Sequence, residues 1–114
     1  MVERIPGNAR MSSAVIHNGT VYLKGSTARN DADDIAAQTR DVLAQIDELL
    51  AQAGSSKEKV LAVSIWLADI KDFDAMNAVY DAWVVKGSEP VRACVEASLA
   101  KPSLRVEIQA TASL

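Results

Sequence analysis

"KVLAVSIWLADI", residues 59–70, is a nearly continuous apolar run of strand length, and such a run fits a central strand with neighbours on both edges more than an edge strand. Asp69 to Asp72 then turn the chain. The strand divides the sequence into two stretches, each of which supplies one helix and further strands.

Upstream lies "SAVIHNGTVYLKG", residues 13–25, two short β-branched runs around Asn18-Gly19. Asn-Gly tolerates the positive φ angles of a type I′ turn, so the pattern predicts a hairpin that ends at Gly25-Ser26. "DADDIAAQTRDVLAQIDELLAQAG", residues 31–54, follows with Asp31 and Asp33 as N-cap oxygens. Its residues Ile35, Val42, Leu43, Ile46, Leu49, Leu50 and Ala53 keep to one helical face, and Gly54 stops the helix.

Downstream, "DFDAMNAVYDAWVVKG", residues 72–87, reads as a second helix with Phe73, Met76, Tyr80 and Trp83 or Val84 on one stripe and Gly87 closing it. Pro90 cannot continue that helix, so "EPVRACVEASLA", residues 89–100, begins a strand. Its alternation sets Arg92, Cys94 and Glu96 on one face and Val91, Ala93, Val95 and Ala97, which resemble ordinary core, on the other. "SLRVEIQATASL", residues 103–114, alternates cleanly, with Leu104, Val106, Ile108 and Ala110 opposed to Arg105, Glu107, Gln109 and Thr111.

The predicted order is β-β-α-β-α-β-β, with room for a further short strand at "VERI". This is a single α+β domain over residues 1–114, a mostly antiparallel sheet with both helices on one face. The other face is half apolar, with Val63 and Ile65 or Ala62 and Trp66 on it depending on register. Such a face predicts a homo-oligomer packed sheet against sheet.

Composition narrows the function. The 114 residues are 49% hydrophobic and 24% charged, as in an ordinary globular domain. With 15 acidic against 12 basic residues the net charge is -3, which provides no long-range field for nucleic acid or an anionic membrane. "VLAVSIWLA" is far short of a membrane span. The N-terminus "MVERIPGNAR" is not a signal peptide, and one cysteine excludes a disulfide framework, so a cytoplasmic location is expected. No Gly-rich loop enters a helix, and the lone His17 flanks the hairpin turn, where it makes neither a metal site nor a triad.

Taken together, "PVRACV", the Gly25-Ser26 hairpin exit, "FDAMNAVYDAW" and "VEIQATA" resemble the reactive-intermediate deaminase family, Rid or YjgF-like, also labelled L-PSP endoribonuclease or translation inhibitor. The resemblance runs from about Ser12 to Ala112. It implies a chorismate-mutase-like fold, a homotrimer, and three pockets between subunits that hydrolyse imines and enamines of the 2-aminoacrylate or 2-iminopropanoate type to 2-oxo acids and ammonia, with no cofactor and no metal. Carried over by position, Arg92 matches the arginine that holds the substrate carboxylate, Cys94 the cysteine beside it, and Glu107 the glutamate associated with the attacking water. Gly25 and Ser26 match hairpin residues that close the pocket, and Asn77 matches a helix asparagine near it.

The chemistry of these residue types agrees with that division. An arginine fork can hold the carboxylate of an imino acid through two charge-assisted bonds and so place the adjacent electrophilic carbon. A carboxylate within hydrogen-bond reach can orient and deprotonate water. Glu107 meets that need provided its strand neighbours that of Arg92.

Structural readings compete at each position. Arg92 can be an ion pair, Glu107 a solvated residue or a partner of Arg92 or Arg105, and Asn77 a cap for a neighbouring strand or loop. Cys94, with no base nearby, reads as a pocket wall, and Glu96 and Ser98 read as interface contacts. The chain departs from the family pattern at "ARMSSAV", where Met11 stands in place of a pocket tyrosine. Methionine offers no hydroxyl to hold water or substrate, its flexible thioether can fill a broader apolar pocket, and Arg10 is an alternative entrant that favours a second acidic group on the ligand. A non-catalytic binder of small carboxylates and, with less support, an endoribonuclease remain as alternative functions.

Overall fold

The computed structural model describes residues 1–114. Its strands are β1 (Glu3–Ile5), β2 (Ala14–His17), β3 (Thr20–Leu23), β4 (Ser26–Thr27), β5 (Val60–Leu67), β6 (Val91–Glu96) and β7 (Val106–Ser113), and its helices are α1 (Ile35–Gln52) and α2 (Phe73–Trp83). The sheet runs β1-β2-β3-β7-β5-β6, with β4 also paired to β7. Every pairing is antiparallel except β5 with β6, which is parallel and crosses over through α2. The α+β class therefore holds, "VERI" does form a strand, and β5 is central.

The hairpin turn is as the sequence demands, with Asn18 at φ 52° and Gly19 at φ 77°. Each apolar position of the α1 stripe is buried. The cap differs from expectation. Asp34 occupies the N-cap and its Oδ1 accepts from Ala37 N at 2.9 Å. Asp31 is used elsewhere, accepting from Ser103 Oγ at 2.7 Å. In α2, Met76 and Tyr80 are buried but Phe73 is not, and the helix ends at Trp83, before the turn at Gly87.

Both helices cover one face. Val63, Ile65 and Leu67 of β5 and Val106, Ile108, Ala110 and Ala112 of β7 point toward them, joined by Val21 and Leu23. The shortest dimension, 19 Å, has room for one sheet and one helix layer only, so the second sheet face is bare. Trp66 lies on it, half-buried, with Tyr22 and Val95 exposed beside the same strands.

In β6 the faces are the reverse of the expected ones. Arg92 pairs with Val63 and Cys94 with Ile65, so the Arg92 and Cys94 side chains share the helix face. Val91 and Val95 are outward, 73% and 50% exposed. Glu96 accepts from Ile70 N at 2.8 Å and caps the turn before α2 within the chain itself.

One fully buried side chain joins distant segments. Gln38 Nε2 donates to the carbonyls of Asp33 and Ser103 at 3.1 Å each, and its Oε1 accepts from Arg105 N at 2.9 Å. By contrast, the buried Ser26 Oγ has no partner. Gln38→Leu leaves several backbone groups unsatisfied and is expected to lower unfolding free energy by about 2 kcal/mol, whereas Ser26→Ala removes an unpaired hydroxyl and leaves stability equal or higher. Urea denaturation midpoints of the two variants check both signs.

Candidate functional site

The expected residues fall into two groups. Arg92 lies on the edge strand β6, on the helix face, where α2 passes beside it. Its Nη1 donates to Asn77 Oδ1 at 2.7 Å, and its guanidinium carbon stands 4.7 Å from the Tyr80 ring centroid and 5.9 Å from that of Phe73. One hydrogen bond and two π-faces orient the fork. Asn77 is thus an orienting partner of Arg92, and Tyr80 and Phe73, placed by the sequence on the apolar stripe of the helix, form the platform beneath it.

No carboxylate neutralises Arg92. The chain's ion pairs lie elsewhere, between Arg29 and both Asp41 and Glu48, between Lys101 and Asp31, and between Arg105 and Asp72 at 3.6 Å. The competing reading of Arg92 or Glu107 as an intramolecular ion pair is thereby removed. A half-buried guanidinium with one neutral partner keeps donors available for an anion.

Cys94, two residues along the same face, is half-buried against the core. Burial pushes its thiol upward and the neighbouring Arg92 only partly offsets this. It is a thiol at neutral pH, which suits a wall rather than a nucleophile.

The second group lies on the other sheet face. Glu107 pairs with Trp66 on one side and Thr27 on the other, and faces a cleft of about 420 Å³ lined by Met11, Ser13, Lys24, Gly25, Thr27 and Asn8 among others. A Cβ built on Gly25 would collide with the Glu107 carboxylate, so glycine is what lets that carboxylate lie against the chain. Glu107 accepts from no side chain of the protein, which leaves its lone pairs for water or ligand.

Met11 is brought to the rim by a local turn. Asn8 Oδ1 accepts from the backbone N of Arg10 at 2.8 Å and of Met11 at 3.1 Å, and Asn8 N donates to Met11 O at 2.9 Å. Met11, and not Arg10, lines the cleft.

Ser26 does not. Between β3 and β4 the chain kinks at Lys24-Gly25, and the alternation shifts by one residue. Leu23 and Ser26 both turn inward, Ser26 pairing with the inward Ile108, while Thr27 turns outward beside Glu107. Gln109 Nε2 holds the kink by donating to Leu23 O at 3.0 Å. Lys24 and Thr27 therefore enter the cleft and, like Asn8 and Ser13, were missed by the sequence reading. The signal available was the glycine itself, since a Gly between two short strands marks a place where alternation can reset.

The two groups do not meet within a chain. Strands β6 and β7 flank β5 and are not neighbours, so the condition placed on Glu107 fails, and Arg92 and Glu107 sit on opposite sheet faces. A larger shallow groove, about 700 Å³, runs between α1 and α2, but its alanine-rich walls include neither group.

An α+β slab of this kind is shared with proteins already known. The sequence matches the family described as Endoribonuclease L-PSP over residues 1–114, and the chain belongs to that family, the RutC or YjgF group. Among its relatives, RutC family protein YoaB of Escherichia coli (strain K12) is 47% identical over 113 residues, covering 99% of this chain and 98% of that protein. The crystal structure of NMB1025 from Neisseria meningitidis, a member of the YjgF protein family, superposes with a TM-score of 0.96 at 48% identity, covering 99% of this chain and 94% of that one. Rv2704 of Mycobacterium tuberculosis, of the YjgF/YER057c/UK114 family, matches at TM-score 0.90 and 33% identity over 100% of both chains. No helix is long and apolar enough to cross a membrane.

The raised Cys94 pKa has a direct readout. Alkylation of the folded protein by iodoacetamide at pH 7 should be slower than that of a free cysteine, and its rate should rise with pH with a midpoint above that of the urea-unfolded chain. A midpoint at or below the unfolded value would mean that burial does not govern the thiol.

Proposed function

We propose that the protein is a hydrolytic deaminase of reactive imines and enamines, of the 2-aminoacrylate or 2-iminopropanoate type, acting at a site completed between two copies of the chain. The observation that carries the reading is Arg92, an oriented guanidinium with no carboxylate partner in the chain. Its counterpart is Glu107, a carboxylate with no donor, held open by Gly25.

In this reading Arg92 of one subunit grips the substrate carboxylate with two parallel bonds, beside the Cys94 wall. The imine carbon then lies over the cleft of the neighbouring subunit. Glu107 takes a proton from water as the oxygen bonds to that carbon, and the resulting carbinolamine collapses when the nitrogen, protonated through Glu107, leaves as ammonia. Water and imine thus give a 2-oxo acid and ammonia, with no electron transfer and no cofactor required. The bare sheet face, with exposed Val95 and Tyr22 and half-buried Trp66, supports a homotrimer packed sheet against sheet.

The family's description supplies an endoribonuclease as a competing reading, and no residue set in this chain favours it. The net charge is -3 and the only histidine, His17, sits exposed at the hairpin. Met11 favours a second reading, saturable carboxylate binding without turnover, since a thioether cannot hold water as a hydroxyl does.

Ammonia release from imines generated by an amino-acid oxidase separates these. Arg92→Ala should lower kcat/KM by roughly 100-fold or more, and Glu107→Gln should lower kcat by a similar factor. Mixing the two inactive variants in denaturant and refolding them together should restore about a quarter of the wild-type rate, because a random ring pairs an intact Arg92 with an intact Glu107 in that share of its interfaces. No restoration on mixing would rule out a site shared between subunits, and binding without any wild-type turnover would leave the protein a carboxylate binder.

A further inference from the structure

The cleft contains a charged group for which the chemistry above has no use. Lys24 lines it together with Glu107, Gly25 and Thr27. Its backbone is fixed, since Lys24 N donates to Ser13 O at 3.0 Å, and its side chain is half-buried. No carboxylate pairs with its ammonium, although acidic residues outnumber basic ones in the chain. An unpaired lysine beside a glutamate, in a concave site, is available for a ligand anion.

From this placement we infer that Lys24 is a specificity-determining residue, and that the ligand of the cleft carries a second, distal carboxylate. The inference rests on the composite site described under the proposed function, and deepens it. In that site Arg92 and Lys24 are two cations against the one anion, Glu107. The electrophile that water attacks is the protonated imine. A substrate with one carboxylate is then neutral overall and leaves one cation uncompensated, whereas a substrate with two carboxylates brings one net negative charge and closes the balance.

The room is consistent with this. A cleft of about 420 Å³ is larger than a three-carbon acid needs, and Met11 at its rim presents a flexible apolar wall along which a longer carbon chain can lie. Arg92 holds the carboxylate next to the reacting carbon, so Lys24, on the other half-site, is left to receive the distal one. The cation for which the sequence offered Arg10 is supplied instead by Lys24, just beyond β3.

The test compares imines generated in place from aspartate and from alanine by amino-acid oxidases, reading ammonia release for the wild type, Lys24→Met and Lys24→Arg. The ratio of kcat/KM for the dicarboxylic over the monocarboxylic imine should favour the former in the wild type. It should fall by roughly tenfold in Lys24→Met, which keeps the apolar stem, and recover in Lys24→Arg. Titration calorimetry with oxaloacetate and with pyruvate gives a readout independent of turnover. Oxaloacetate affinity should drop in Lys24→Met and lose part of its salt dependence. If the wild type turns over neither imine but still binds oxaloacetate through Lys24, deamination falls and the dicarboxylate assignment stands. A ratio that is unmoved by Lys24→Met, with oxaloacetate and pyruvate affinities changing in parallel, overturns the assignment.

Discussion

The pairing of β5 with β6 on one edge and β7 on the other is the constraint from which the site's layout follows. Parallel register sets Arg92 beside Val63 and Cys94 beside Ile65, and antiparallel register sets Glu107 beside Trp66. Successive residues of β5 point to opposite faces, so with these registers Arg92 and Glu107 are committed to opposite faces as well. No rotamer change can bring Arg92 to Glu107 around an intervening strand. The fold allows a chain to carry both candidate groups and forbids it to bring them together by itself.

Each half is then oriented by a different physical device. Arg92 is placed by a charge-assisted bond to Asn77, worth about 1.5–3 kcal/mol, and by aromatic faces worth about 0.5–1 kcal/mol each at a partly exposed site. These terms set direction more than stability, because a neutral amide and two rings leave the cation's charge uncompensated. Glu107 is placed by exclusion. The missing Cβ of Gly25 is the space its carboxylate occupies, and the kink that puts Gly25 there also moves Ser26 into the core and Thr27 out of it. A hydroxyl without a partner in the core accompanies the kink that opens the cleft.

What the sequence made legible follows from which signals are local. The Asn18-Gly19 turn, the α1 stripe and the alternation of β7 are each decided by residues within a few positions of one another, and each stands as read. Alternation in "PVRACV" correctly separates two sets of residues, but it cannot say which set meets the helices. Valine outside and arginine inside reverses the hydrophobic expectation, because α2 offers Asn77 and Tyr80 at that edge and the bare face accepts Val91 and Val95. The choice of Asp34 over Asp31 and Asp33 as cap is likewise tertiary, since Asp31 is held by Ser103 across the fold. The residue at which the family pattern and this chain part, Met11, was legible as a cleft residue. Lys24 was not, because a lysine ending a strand looks like any solvated charge until the kink beside it is known.

The unpaired charges and the bare apolar face serve association differently. Exposed Val91, Val95 and Tyr22 gain by leaving water, so in the proposed oligomer apolar contact is the source of affinity between copies. Arg92 and Glu107 lose hydration on approach, and a direct pair between them would largely return what desolvation costs without adding net stability. A composite site built this way is selected for its ligand rather than for its own cohesion. In the proposed site Asn77 and the rings hold the guanidinium on its own subunit, Gly25 leaves room for the carboxylate on the other, and the gap between them suits a molecule that presents an anion to one and an electrophilic carbon to the water on the other. Lys24 balances Glu107 on its own side and so leaves Arg92 as the surplus cation of the proposed composite site, which is why the ligand inferred for it carries more negative charge than one carboxylate beside a protonated imine supplies.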